Sequence, residues 1–116
     1  MSAPDRFLGM LGLAKRAGRV VIGAPLIFTA MRTKRPPCLV LAAADASAGA
    51  MKKLASKCEF YHVPLLTTPY TKARLAHAVG GLGEVAAVAI CDEGFAEQLT
   101  KTPTERPSAA DPNEEI

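Results

Sequence analysis

Apolar residues recur along this chain in two alternating patterns. Short apolar runs predict β-strands at residues 19–22, 38–43, 63–67 and 85–91, and the second and fourth runs are apolar throughout, as in strands covered on both faces. Between them, apolar residues three and four positions apart indicate helices. The helices are predicted at residues 4–17, 25–33, 48–59, 72–79 and 93–100.

Turn and cap residues define the ends of these helices. Gly18 stops the first, Pro25 fits the first turn of the second, and Pro36-Pro37 follows its end. Either Asp45 or Ser47 is predicted to cap the third helix. Thr71 and Asp92 are the predicted caps of the last two. The buried stripes are predicted at Leu26, Ile27, Ala30 and Met31 in the second helix, and at Met51, Leu54, Ala55 and Cys58 in the third.

The order of elements is one helix followed by four strand–helix units. Such alternation implies an α/β fold, with a largely parallel or mixed sheet and helices on both faces. The chain has 116 residues, 49% of them hydrophobic, which suffices for one domain with an aliphatic core. We therefore predict a domain over residues 1–100. A polar tail at 101–116 carries three prolines and four acids.

The net charge of +3 is unevenly distributed. Residues 1–80 hold twelve Lys and Arg against three acids, whereas residues 81–116 hold two against eight. A basic body favours a polyanion partner, although an ordinary solvated surface explains the same pattern equally well. Three cation clusters adjoin turns and are predicted to converge on one edge: Lys15, Arg16 and Arg19; Arg32, Lys34 and Arg35; Lys52, Lys53 and Lys57.

Metal, catalytic and membrane signals are weak in this sequence. Cys58 and His62 are four residues apart, but a zinc site needs three or four converging ligands, and Pro64 indicates that the helix ends between them. Asp45 follows a strand, where a helix cap is a more frequent role than catalysis. No apolar run approaches the roughly 20 residues of a membrane span. We expect a cytoplasmic, monomeric protein without metal, cofactor or enzymatic activity, and the three cysteines without a Cys-x-x-Cys agree with a reducing compartment.

Six stretches of this sequence are informative together: residues 11–18, 22–24, 39–43, 45–47, 57–64 and 86–90. They resemble the L7Ae/L30e/S12e/Gadd45 ribosomal-protein family, and within it the bacterial L7Ae-like members. The similarity spans roughly residues 7–99 and is carried by their order and spacing rather than by any single motif. The resemblance implies a three-layer α/β/α sandwich around a small four-stranded mixed sheet.

Archaeal and eukaryotic relatives bind kink-turn RNA, a bent helix with tandem sheared G·A pairs. In these relatives the second helix starts with Gly-Ala-Asn-Glu, and the Asn, the Glu and a Lys three residues after the Glu contact these pairs. Here only Gly23-Ala24 carries over, since Pro25, Leu26 and Thr29 replace the Asn, Glu and Lys. Base-edge contacts confer specificity and phosphate contacts confer affinity. The resemblance therefore implies RNA binding with weakened or altered kink-turn discrimination.

The working hypothesis is a non-enzymatic protein of the translation apparatus that binds rRNA or another structured RNA, with the ribosome or translation proteins as further partners. Arg19, Lys34 and Lys52 are assigned to phosphates. The alternative is a Gadd45-like protein-interaction module, with Leu26 and Phe28 forming an exposed apolar patch. The predicted RNA-binding residues are Arg19, Gly23, Ala24, Thr29, Arg32, Lys34, Asp45, Ala46, Ser47, Lys52, Thr67, Thr68 and Tyr70.

Overall fold

The structure, a computed structural model, describes residues 3–102. All nine predicted elements occur within these residues and in the predicted order, with strands one to three residues shorter at their ends. Most of the predicted acidic tail lies outside the described residues, and Lys101 belongs to the last helix. The elements are α1 Ala3–Arg16, β1 Val20–Ile22, α2 Ala24–Met31, β2 Leu39–Ala42, α3 Ala48–Tyr61, β3 Leu65–Thr67, α4 Lys72–Ala78, β4 Ala87–Ile90 and α5 Glu93–Lys101.

The four strands form one mixed sheet in the order β1-β4-β2-β3. Strand β4 pairs antiparallel with both β1 and β2, whereas β2 and β3 are parallel, with Ala42 opposite Thr67. Strands β1, β2 and β3 therefore run in one direction and finish at the same end of the sheet. We call this the carboxyl end of the sheet and the opposite end, where these three strands begin, the amino end.

Helices cover both faces of the sheet. Alternate residues of β2 and β4 point to opposite sides, as the two-residue repeat of a strand requires. Leu41 and Val88 pack with α1, α4 and α5, whereas Val40 and Ala89 pack with α2 and α3. This arrangement confirms the predicted three-layer α/β/α sandwich and explains why the second and fourth strands are apolar throughout.

The predicted buried stripes of the helices are wrong at two positions, which are exposed. Leu26 is 61% exposed and Ala55 is also exposed. Helix α2 packs through Ile27 and Met31, and α3 packs through Leu54 and Cys58, which are four residues apart in each case. A neighbouring residue lies about 100° around a helix. The buried stripe is therefore too narrow to include Leu26 or Ala55.

Candidate nucleic-acid interface

Three turns lie side by side at the carboxyl end of the sheet. The Gly23 N–H donates to the Ala87 carbonyl at 3.1 Å, which holds the β1–α2 turn against the start of β4. The Ala44 N–H donates to the Tyr70 carbonyl at 2.8 Å and joins the turns that follow β2 and β3. Each turn begins a helix, so the N-termini of α2, α3 and α4 all lie at this end.

The start of α3 is the most open of the three N-termini. Ser47 caps it, because its hydroxyl accepts a hydrogen bond from the Ala50 N–H at 3.1 Å. The exposed Ala48 and Gly49 have no N–H hydrogen bond to another described residue. Exposed Lys52 follows one turn later. Free N–H groups, the partial positive charge of the helix and a nearby cation together suit a phosphate.

The start of α2 is a poorer donor site. Gly23 has a φ of 94°, which favours glycine, and no side chain caps the helix. Pro25 has no N–H to offer, and the Thr29 hydroxyl donates to the Pro25 carbonyl at 3.2 Å. Leu26 presents an apolar side chain to solvent. This turn therefore lets a ligand approach the backbone closely but provides few side chains that could hydrogen-bond to it.

Asp45 binds another helix and does not cap α3. Its Oδ1 accepts a hydrogen bond from the Lys72 N–H, 27 residues away, at 2.8 Å. The Lys72 ammonium in turn lies 3.7 Å from Glu84 Oε1. The hydrogen bond from Lys72 holds the turn after β2 against the first turn of α4. Asp45 thus fixes the geometry of the carboxyl end, and Ala46, half-buried beside it, packs against the core.

The loop after β3 is less accessible than the sequence suggests. Thr67 is exposed, but Thr68 and Tyr70 are buried, which removes their side chains from the predicted RNA-binding surface. The Thr68 hydroxyl donates to the Ala42 carbonyl at 2.9 Å. The Tyr70 ring stacks on Phe7 with centroids 5.5 Å apart, and the Arg74 guanidinium lies 5.4 Å from the Tyr70 centroid. Both side chains support the fold.

Three predicted RNA-binding residues lie at the amino end. Arg19 precedes β1 and its carbonyl accepts from the Cys91 N–H, just beyond β4. Arg32 is the C-cap residue of α2, and Lys34 follows it. The eight-residue helix α2 separates Arg32 from Gly23 by about 12 Å. The residues predicted to share one edge therefore form two groups, one at each end of α2.

Helices α2 and α3 connect these groups along one flank. The Lys57 ammonium lies 5.9 Å from the Phe28 ring centroid, so the cations of α3 stand beside α2. Thr29, Arg32, Lys53 and Lys57 are all exposed. We call these four residues the α2–α3 flank. Lys53 and Lys57 were not among the predicted site residues, although two like charges one helical turn apart are a signal of an anion-binding surface.

Lys15 and Arg16 of the first cation cluster do not join the other two clusters. Lys15 and Arg16 belong to α1, which covers the face of the sheet opposite to α2 and α3. The predicted convergence of all three clusters on one edge is therefore wrong. Helix packing decides this, because α1 and α3 pack on opposite faces of the sheet.

The remaining titratable groups do not assemble a metal centre. Within residues 3–102, no group of three or more His, Cys, Asp or Glu side chains lies together. Burial raises the pKa of the Cys58 thiol. Burial is also the main cause that raises the pKa of Cys38 and of Cys91. In the same part of the chain, no helix is both long and apolar enough to cross a membrane.

The model of the ribosomal protein L7Ae/L30e/S12e/Gadd45 family matches residues 5–100 of the chain. The protein belongs to this family. Two L7Ae-family relatives are named RNA-binding protein YlxQ. The Bacillus subtilis protein is 40% identical over 90 residues, covering 78% of this chain and 87% of the relative. The Enterococcus faecium protein is 31% identical over 94 residues, covering 81% and 87%. The predicted resemblance to bacterial L7Ae-like proteins is confirmed.

Solved structures give the same fold. A Bacillus halodurans protein of unknown function has a TM-score of 0.74 and 29% identity, covering 82% of this chain and 93% of the other. The Giardia lamblia 15.5kD RNA binding protein has a TM-score of 0.65 and 20% identity, covering 82% of each chain. At that identity, the second similarity supports the L7Ae-family fold alone.

Proposed function

We propose that this L7Ae-family protein is a non-enzymatic RNA-binding protein that contacts structured RNA through the carboxyl end of the sheet and the α2–α3 flank. The observation that carries the proposal is the exposed start of α3, where two free N–H groups and Lys52 adjoin a flank of cations. The two YlxQ relatives are named as RNA-binding proteins, which supports the same class of ligand.

In this proposal, phosphates and bases meet different parts of the surface. The N–H groups of Ala48 and Gly49 hold one phosphate, and Gly49 has no Cβ to block its approach. Arg32, Lys53 and Lys57 bind further phosphates along α2 and α3. Gly23 and Ala24 allow the RNA backbone or a base edge to approach the start of α2 closely. Affinity then comes from phosphates, with a steep dependence on salt.

Discrimination of a kink-turn is weak in this account. Pro25 and Leu26 have no side-chain group that hydrogen-bonds a base edge, and the Thr29 hydroxyl already donates to a carbonyl. The close approach that Gly23 and Ala24 allow is the remaining basis for favouring a bent, structured RNA. We place the protein in the cytoplasm as a monomer, acting on rRNA or another RNA of the translation apparatus, with the ribosome or translation proteins as its wider setting.

The double variant Arg32→Ala, Lys53→Ala tests the flank. It should weaken RNA binding about tenfold or more at ~0.1 M salt and lower the slope of log K against log salt by roughly 2, because two phosphate contacts are lost. A fluorescence anisotropy titration at several salt concentrations measures both effects. The matched control Arg6→Ala, Lys15→Ala removes two exposed cations from α1 on the opposite layer. Equal losses in both variants would show that the flank is not the RNA-binding surface.

A protein-interaction module is the second candidate, and Leu26 favours it. Its side chain is 61% exposed in the first turn of α2, where an RNA-binding surface gains little from an apolar group. Phe28 does not extend this patch, because it is half-buried beneath Lys57. The Leu26→Asn variant separates the two candidates. An RNA-binding protein keeps or gains affinity for RNA in this variant, whereas a protein-interaction module binds no RNA in either form.

A further inference from the structure

A wide groove lies between α1 and α4, on the layer opposite to the α2–α3 flank. Its volume is about 1130 Å³, which exceeds the ~300–1,000 Å³ of ordinary small-molecule sites. Its lining includes the small residues Gly9, Gly12 and Ala73, and Leu13 is half-exposed beside them. The size and the shallow apolar lining fit a peptide segment better than a small molecule.

The charged groups of the groove all have one sign. The cations Lys15 and Arg16 line it from α1 and Arg74 lines it from α4, with the imidazole of His77 as a further polar group. No acid lines this groove among the described residues. The Arg74 guanidinium also packs on the Tyr70 ring, which holds it at the groove wall. An apolar lining with a cationic rim selects a ligand that combines carboxylates with small or apolar side chains.

Residues 103–116 of the same chain have this composition. The segment carries Glu105, Asp111, Glu114 and Glu115 against one Arg106, together with two alanines, three prolines and Ile116. It follows α5, and α5 packs against α1, which forms one wall of the groove. A helix is about 10–12 Å across, and the segment can extend roughly 45 Å. This length is sufficient for its acids to reach the groove across α1.

We infer that residues 103–116 dock in the α1–α4 groove of their own chain, with their carboxylates beside Lys15, Arg16, Arg74 and His77. The inference stands apart from RNA binding, because the groove and the α2–α3 flank lie on opposite layers. Docking covers Leu13 and the exposed backbone of Gly9 and neutralises the cationic rim. The docked segment acts as an additional layer that depends on charge and is loosened by salt.

The test compares amide chemical shifts in full-length chains. Neutralising the segment with Glu105→Gln, Asp111→Asn, Glu114→Gln and Glu115→Gln should move resonances of groove residues in α1 and α4. Raising NaCl from ~0.02 to ~0.5 M should move the same resonances in the parent chain, because screening weakens the contact. Resonances of α2 and α3 should stay in place under the neutralising substitutions.

A steric variant and a charge control test whether the response comes from the groove. No atom lies within 4 Å of a Cβ built on Gly9, so Gly9→Leu fills the groove without a clash at that atom. In a Gly9→Leu chain, neutralising the segment should leave the α1 and α4 resonances unchanged. The control Arg35→Gln, Lys53→Gln, which removes two exposed cations from the other layer, should retain the full response.

Three outcomes would overturn the inference. Neutralisation that moves no groove resonance excludes docking at this place. Shift changes confined to α2 and α3 assign the acidic segment to the flank cations instead. Shift changes that disappear on dilution assign it to the groove of a second copy. None of these measurements uses RNA, so the outcome is independent of the proposed function.

Discussion

At the scale of single residues, local sequence and structure disagree most at Thr68 and Tyr70. Both lie in a Thr-Pro-Tyr-Thr loop whose composition is typical of an exposed turn. The structure instead packs the Tyr70 ring between Phe7 and Arg74 and bonds the Thr68 hydroxyl to β2. No local signal marks either side chain as buried, because Ala42 and Phe7 are 26 or more residues distant from Thr68 and Tyr70 in the chain.

Tyr70→Ala should therefore affect stability. Removing a buried ring that stacks on Phe7 should lower the free energy of unfolding by about 3–5 kcal/mol, as for other aromatic truncations in cores. Urea unfolding followed by circular dichroism measures the change. Thr67→Ala, at the exposed neighbouring position, should stay within about 0.5 kcal/mol. A Tyr70→Ala protein as stable as the parent would show that the ring is not a core element.

At the scale of elements, the hydrophobic pattern predicted all five helices and all four strands. The caps Ser47, Thr71 and Asp92 were also predictable. Each side chain accepts a hydrogen bond from the N–H three residues later in the chain, so the cap and its partner are close in sequence. Asp45 was left open, since its partner Lys72 belongs to a distant turn. The residues near a helix end thus suffice to predict the helix and its cap. A contact between two distant segments depends on how the sheet places them.

Helix α1 offers a matched pair of glycines for a stability test. A Cβ on Gly9 meets no atom within 4 Å, whereas a Cβ on Gly12 would lie 3.2 Å from the Ala78 carbonyl oxygen. Gly9→Ala should raise the free energy of unfolding by about 1 kcal/mol through helix propensity alone. Gly12→Ala should gain less or lose stability, because α1 and α4 must move apart. Urea unfolding of both variants decides, and an equal gain at the two positions would contradict the close approach of these helices.

At the scale of the whole molecule, the sheet order decides which predicted site residues come together. The antiparallel placement of β4 between β1 and β2 puts Gly23, Ser47 and Thr67 at one end and Arg19 at the other. Strand order depends on long-range pairing, and the sequence pattern of each strand carries no information about its neighbours. The grouping of cations was therefore the part of the candidate site that sequence reasoning placed least well.

The most direct test of RNA binding is a salt titration with a standard kink-turn RNA and a plain duplex of equal length. The account predicts that both RNAs bind and that binding weakens steeply as salt rises. It also predicts that the kink-turn is preferred by less than about tenfold, which is roughly the discrimination supplied by one side chain that hydrogen-bonds a base edge. Absence of binding to either RNA at low salt would contradict the central claim and favour the protein-interaction module. A preference above about a hundredfold would contradict the weak discrimination assigned to Pro25, Leu26 and Thr29.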